Sequence, residues 1–178
     1  MSEDRYTALR EKLDAKILEL EARHRKFLQC RKACHSCCQP HLSVFPVEAE
    51  AIQNFLQSSP ERAAIEALEQ ENPFASQRCS FLKADGSCSI YAVRPLICRS
   101  HGLPLSFRDE AERSQRDVCP LNFSDVNLDS LPGEGLLNLD LINALLTLIN
   151  QDAFGEKAAQ RVALRPSAIL EAELQRAP

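Results

Sequence analysis

The segment CRKACHSCC, residues 30–38, holds four of the chain's eight cysteines within nine positions, two of them adjacent. Random usage rarely places half of a protein's thiols so close together. A thiolate pair two to four residues apart can reach one tetrahedral ion, because the intervening loop turns back on itself. Cys34-x2-Cys37 has that spacing, and Cys30-x3-Cys34 nearly does. Cys37 and Cys38 are different, since neighbouring side chains point apart. One of them turns toward a second ion, another iron of a cluster, or the core. Cys79, Cys88, Cys98 and Cys119 supply four more thiols. The count suits two four-thiolate sites, and equally one site with spare cysteines. A lone cysteine is otherwise a small buried hydrophobe, a reading that fits Cys119 best.

The rest of the chain decides between disulfides and metal. With 178 residues it builds a core without covalent staples. The start, MSEDRYTALREKLDAKILELEARHRKF, is charged throughout and has no apolar signal region. The longest apolar stretch, GLLNLDLINALLTLIN, is interrupted by Asn138, Asp140 and Asn143 and is too short to span a bilayer. The expected protein is soluble and cytoplasmic, with no membrane partner. In that reducing compartment eight thiols mean metal or redox chemistry. A net charge of −4 argues against nucleic-acid binding through the overall field. There is no dinucleotide fingerprint, phosphate loop, nucleophile elbow or H-E-x-x-H.

Periodicity supplies a framework. Tyr6, Leu9, Leu13, Ile17 and Leu20 recur at helical steps and predict one long helix over 3–29. A second helix is expected from Pro46 to about 57, and a third over 60–70, stopped by Asn72-Pro73. Asp85-Gly86, between Phe81-Leu82 and Cys88, predicts a short β-hairpin or knuckle. Pro95 opens a short helix carrying Cys98. Residues 103–134 are rich in Pro, Ser and Asp and are expected to be irregular. A helix over 135–152 aligns Leu137, Leu141, Leu145 and Leu148 on one face, and Gly155 ends it. In the polar tail, "RPSAIL" is a segment that docks or frays. The expected fold is mainly α, with helices packed around a cysteine-rich metal-binding loop region. It divides into an N-terminal helix at 1–29, a cysteine-cluster region at 30–121, and a helical segment at 122–178 packing on the same domain.

All-sulfur ligation suits zinc or an iron–sulfur cluster. Arg23, Arg25, Lys26, Arg31 and Lys32 stand around the first thiols, and Arg94 and Arg99 flank Cys98. Cations there lower thiolate pKa values and offset ligand charge. His35, His41 and His101 are candidate extra ligands, whereas His24 lies on the first helix and reads as structural. Tyr91 is either a proton donor or, from Ile90 and Val93 beside it, a packing residue.

These motifs together resemble the CxxCxxCC family of zinc- or iron-chelating proteins, the YkgJ-type cysteine cluster proteins. CRKACHSCC is followed by Cys79, Phe81-Leu82, Gly86-Ser87-Cys88-Ser89-Ile90-Tyr91 and Arg94-Pro95-Leu96-Ile97-Cys98-Arg99. The resemblance runs from about residue 27 to 121. It departs at the first spacing, which is three residues where the family's name implies two, and at His35, where a small residue is common. Members are often labelled iron–sulfur oxidoreductases, and a related cysteine motif occurs in lysine methylases of flagellin. The resemblance implies a metal site and leaves the reaction open. The expected function is metal binding through Cys30, Cys34, Cys37, Cys38, Cys79, Cys88, Cys98 and Cys119, with an unknown protein or small-molecule partner. The alternative is an iron–sulfur oxidoreductase or other metal-dependent enzyme, in which Arg94, Arg99 and His101 face an anionic substrate.

Overall fold

A computed structural model describes residues 2–71 and 77–177. The first helix, α1, spans Ser2–His24 and is followed by a 3-10 turn at Arg25–Phe27. It stops short of residue 29 because Leu28 is extended (φ −95°, ψ 127°), and His24 is buried against the loop that carries Gly135. A two-residue strand β1 (Ser43–Val44) leads into α2 (Pro46–Ser58) and α3 (Arg62–Glu71). Pro46 occupies the first turn of α2, where a missing N–H costs nothing, and Glu48 reaches back to accept from the Phe45 N–H at 3.1 Å. The Asn72-Pro73 stop expected after α3 lies outside the described residues.

The short helix α4 (Leu96–Ser100) begins after Pro95 and carries Cys98, as the proline predicts. Strands β2 (Leu105–Arg108), β3 (Ser114–Asp117) and β4 (Leu137–Asn138) form a three-stranded sheet in the order β3-β2-β4. The β2–β3 pair is an antiparallel hairpin, with Leu105 opposite Asp117 and Arg108 opposite Ser114. Asp109 makes the connecting turn, accepting from the Ala111 and Arg113 N–H groups at 3.0 and 2.9 Å. Then come α5 (Leu139–Phe154), β5 (Val162–Ala163), paired antiparallel with β1, and α6 (Pro166–Glu171). Gly155 ends α5 with φ +51°, as expected, and "RPSAIL" docks as α6 with Ile169 fully buried.

Two expectations are corrected. Among the described residues helices account for about half of the chain, and with five short strands the architecture is mixed α/β, not mainly α. The strands escape a periodicity reading because none exceeds four residues, and polar residues dominate the hairpin. On α5, Leu141, Leu145 and Leu148 do share a face, but it is the outward one, 39–67% exposed. Ile142, Leu146, Ala153 and Phe154 are buried instead, and Leu137 belongs to β4.

Two apolar clusters hold these elements together. The first joins Tyr6, Leu9, Leu13 and Leu20 of α1 to Leu96, Leu103 and the inner face of α5. The second joins Val44, Ile52, Leu56, Ile65, Phe81, Ile90, Leu164 and Ile169. Cys79, Cys88 and Cys98 pack on this second cluster. No described helix is long and apolar enough to cross a membrane.

Candidate metal centre

The end of α1 fixes where the first thiol segment starts. His24 Nε2 donates to the Gly135 carbonyl at 2.8 Å, and its ring meets Phe123 edge-on at 5.1 Å. The Phe123 N–H bonds to the Phe27 carbonyl at 3.0 Å, and the Gln29 N–H to Asn122 Oδ1 at 2.7 Å. Two tight turns then carry the cysteines. The Cys34 N–H returns to Arg31 O and the Cys38 N–H to His35 O, each at 2.9 Å. Within the first of these turns Ala33 takes φ +66°, a left-handed conformation that lets the backbone reverse. His35 Nδ1 donates to Ala33 O at 3.0 Å.

The second segment is a knuckle, not a ladder. Leu82 and Cys88 form an isolated antiparallel bridge. The turn inside it is closed by Lys83 N–H to Ser87 O at 2.8 Å and by Asp85 accepting from the Ser87 N–H at 2.9 Å. Gly86 has φ +79°, and a Cβ there would meet Ala33 O at 3.1 Å. Glycine thus lets this turn press against the first thiol loop. The Cys79 N–H donates to the Cys38 carbonyl at 3.1 Å, joining the two segments directly. Glu48, 3% exposed, accepts from the Leu96 N–H at 2.9 Å and positions the start of α4, hence Cys98.

All eight cysteines are free. Cys30 lies in the electrostatic field of Cys34, Cys119 and Cys37. Cys38 lies in that of Cys79, Cys88 and Cys98. Cys37 and Cys38, adjacent in sequence, influence one another, which raises Cys37 and lowers Cys38. Burial raises Cys30, Cys79 and Cys88. Burial first, then Cys79 and Cys88, push Cys98 up to about 12. Among the described residues, no three Cys, His, Asp or Glu side chains are already closed into a group that could hold an ion. Electrostatic reach exceeds a zinc–sulfur bond of about 2.3 Å, so the thiols are neighbours without being drawn together. The donor set nevertheless fits a thiophilic metal: eight reduced sulfurs on loops pinned at their ends.

The other predicted residues separate. Arg94 stacks 3.6 Å over the Tyr91 ring and lies in the field of Cys88 and Cys98, and of Cys37 across the junction. Tyr91 is 63% exposed, so its ring serves Arg94 more than the core. Arg99 is buried. Its Nη1 donates to both Asp14 carboxylate oxygens at 2.7 and 2.8 Å, and its Nε and Nη2 donate to the Arg94 and Ala92 carbonyls at 2.8 and 2.7 Å. It ties α1 to the Cys98 segment. His101 is half-buried, and desolvation lowers its pKa against the opposing pull of Asp117.

Sequence reasoning missed Asn122, which is 2% exposed and donates to Cys30 Sγ at 3.3 Å and to Gly102 O at 2.6 Å. Its position three residues after Cys119 was the available signal. Beside Cys34 opens a cleft of about 740 Å³, whose lining includes Gln29, Arg31, Lys32, His35 and Leu121.

No curated protein and no solved structure matches the chain. A family profile, described as a putative zinc- or iron-chelating domain, matches residues 29–120, just over half of the chain and the whole span that carries the eight thiols. The chain belongs to the CxxCxxCC family.

Proposed function

We propose that the protein binds two thiophilic metal centres, zinc or iron, in separate four-thiolate sites. Cys30, Cys34, Cys37 and Cys119 form one, and Cys38, Cys79, Cys88 and Cys98 the other. The observations that carry this reading are that Cys30 lies near Cys34, Cys37 and Cys119, while Cys38 lies near Cys79, Cys88 and Cys98 and its carbonyl accepts from the Cys79 N–H. This reading gives the adjacent Cys37 and Cys38 separate roles, one in each centre. Four thiolates and a divalent ion carry a net −2, which Arg31, Lys32 and Arg94 offset. When bound, the metal supplies cross-links between distant loops, and binding energy becomes folding energy. A reducing cytoplasm suits eight unpaired thiols.

Anaerobic purification with elemental analysis and a visible spectrum tests this. Two zinc ions per chain, or iron with labile sulfide, are expected. Cys34→Ser or Cys119→Ser should remove one centre, Cys79→Ser or Cys98→Ser the other, and one substitution from each group both. A single centre lost equally on substitution in either group would overturn the division. An oxidoreductase or other metal-dependent enzyme is the second reading. The cleft beside Cys34, lined by Arg31, Lys32 and His35, favours it by giving an anionic substrate access to the first group.

A further inference from the structure

Asn122 is a buried carboxamide with every group engaged. Its Oδ1 accepts from the Gln29 N–H at 2.7 Å, while its Nδ2 donates to Gly102 O at 2.6 Å and to Cys30 Sγ at 3.3 Å. Its own N–H returns to the Cys119 carbonyl at 2.8 Å. One residue thus touches the segments that carry Cys30 and Cys119, two thiols far apart in sequence. The opposite wall is as close. Gly102 has φ +96°, and a Cβ there would stand 2.7 Å from Cys30 Sγ. The Cys30 sulfur sits between an amide donor and a backbone that leaves no room for a side chain. A backbone carbonyl and a peptide N–H hold the amide so that its N–H faces sulfur, and its 2% exposure keeps water from competing.

Resting on the two-centre reading, we infer that Asn122 is the positioning residue of the first centre. It orients the Cys30 thiolate, stabilises its charge by N–H···S donation, and sets it in register with Cys119. Outer partners of this kind typically change metal affinity 10- to 100-fold when removed. Cys30 lies just outside the 31–34 turn that places Cys34, and Asn122 holds it from the other side.

The test compares the zinc-loaded full chain with Asn122→Asp, which keeps the acceptor for Gln29 and replaces the donor to sulfur with a carboxylate oxygen. The readouts are iodoacetamide alkylation of each cysteine by mass spectrometry and zinc affinity by chelator competition. In the wild type all eight thiols should be protected. In Asn122→Asp, Cys30 should alkylate at least tenfold faster and the weaker zinc should dissociate at least tenfold more readily. Cys38, Cys79, Cys88 and Cys98 should stay protected, which shows that the variant is folded. If it is not folded, Asn122→Gln, which keeps the amide on a longer arm, should expose Cys30 in the same selective way. Within the first group the gain in alkylation should be largest at Cys30, whereas a merely structural role would open Cys30, Cys34, Cys37 and Cys119 alike. Unchanged Cys30 protection and affinity in a folded variant would overturn the inference. Wild-type protein that leaves Cys30 open while holding zinc would instead overturn the two-centre reading.

Discussion

Tyr6 illustrates how one atom can be out of step with its surroundings. It is 2% exposed in the first core, yet its hydroxyl has no hydrogen-bond partner among the described residues. Burial, with the nearby Glu48 carboxylate second, holds the phenol well above its usual range, so it stays protonated. A buried hydroxyl without a partner costs about 1–3 kcal/mol, and Tyr6→Phe should therefore leave stability unchanged or raise it by about 1 kcal/mol in denaturant unfolding. Cys98 gives a pH prediction. Its folded value lies near 12 and its ordinary value is 9.0. The folded, metal-free protein thus holds this proton more tightly than the unfolded chain does. That contribution to stability is complete below pH 9 and disappears as pH rises toward 12. Metal uptake has the opposite slope. Each thiol must lose its proton to ligate, so apparent zinc affinity should climb from pH 6 to pH 8, as competition titrations would show. At this scale the sequence reveals the cysteines, because their density has no other explanation. It hides Asn122 and Glu48, whose importance depends on being buried against backbone groups from distant segments.

Among the elements, α5 separates pattern from burial most clearly. The sequence shows the leucine row but not which side faces inward, because the helix is apolar on more than one face. Leu146→Ala, at 4% exposure, should cost about 2–5 kcal/mol, whereas Leu148→Ala, at 67%, should change stability by less than about 0.5 kcal/mol. A thermal-unfolding comparison of the two variants would check the assigned orientation. Pro46, Pro95 and Gly155 are legible because each restricts the backbone locally. The 105–117 hairpin is not, because its pairing is fixed by the Asp109 turn and by parallel contact with β4, not by apolar alternation. The knuckle at 82–88 was readable from Asp85-Gly86 alone, since that turn needs a positive φ and gets it at Gly86.

For the molecule as a whole, the two cores divide the labour. The first binds α1 to α5 without using a thiol, while the second carries Cys79, Cys88 and Cys98 on its flank. Chelation of the loaded protein should therefore loosen the molecule unevenly. Hydrogen exchange should rise at the Cys34, Cys38 and Cys79 amides while the helical amides of α1 and α5 remain protected. Uniform loss of protection would show that the first core also depends on metal. The pairing of Ser43–Val44 with Val162–Ala163, together with the fully buried Ile169, has one more consequence. The wall supporting the second thiol group is finished by residues that a ribosome makes more than sixty positions after Cys98. A nascent chain thus displays its cysteines before it owns a rigid seat for them. Stable metal acquisition then belongs to the interval after synthesis has passed α6, and a chain truncated before that helix should emerge with its sulfurs still open to oxidation.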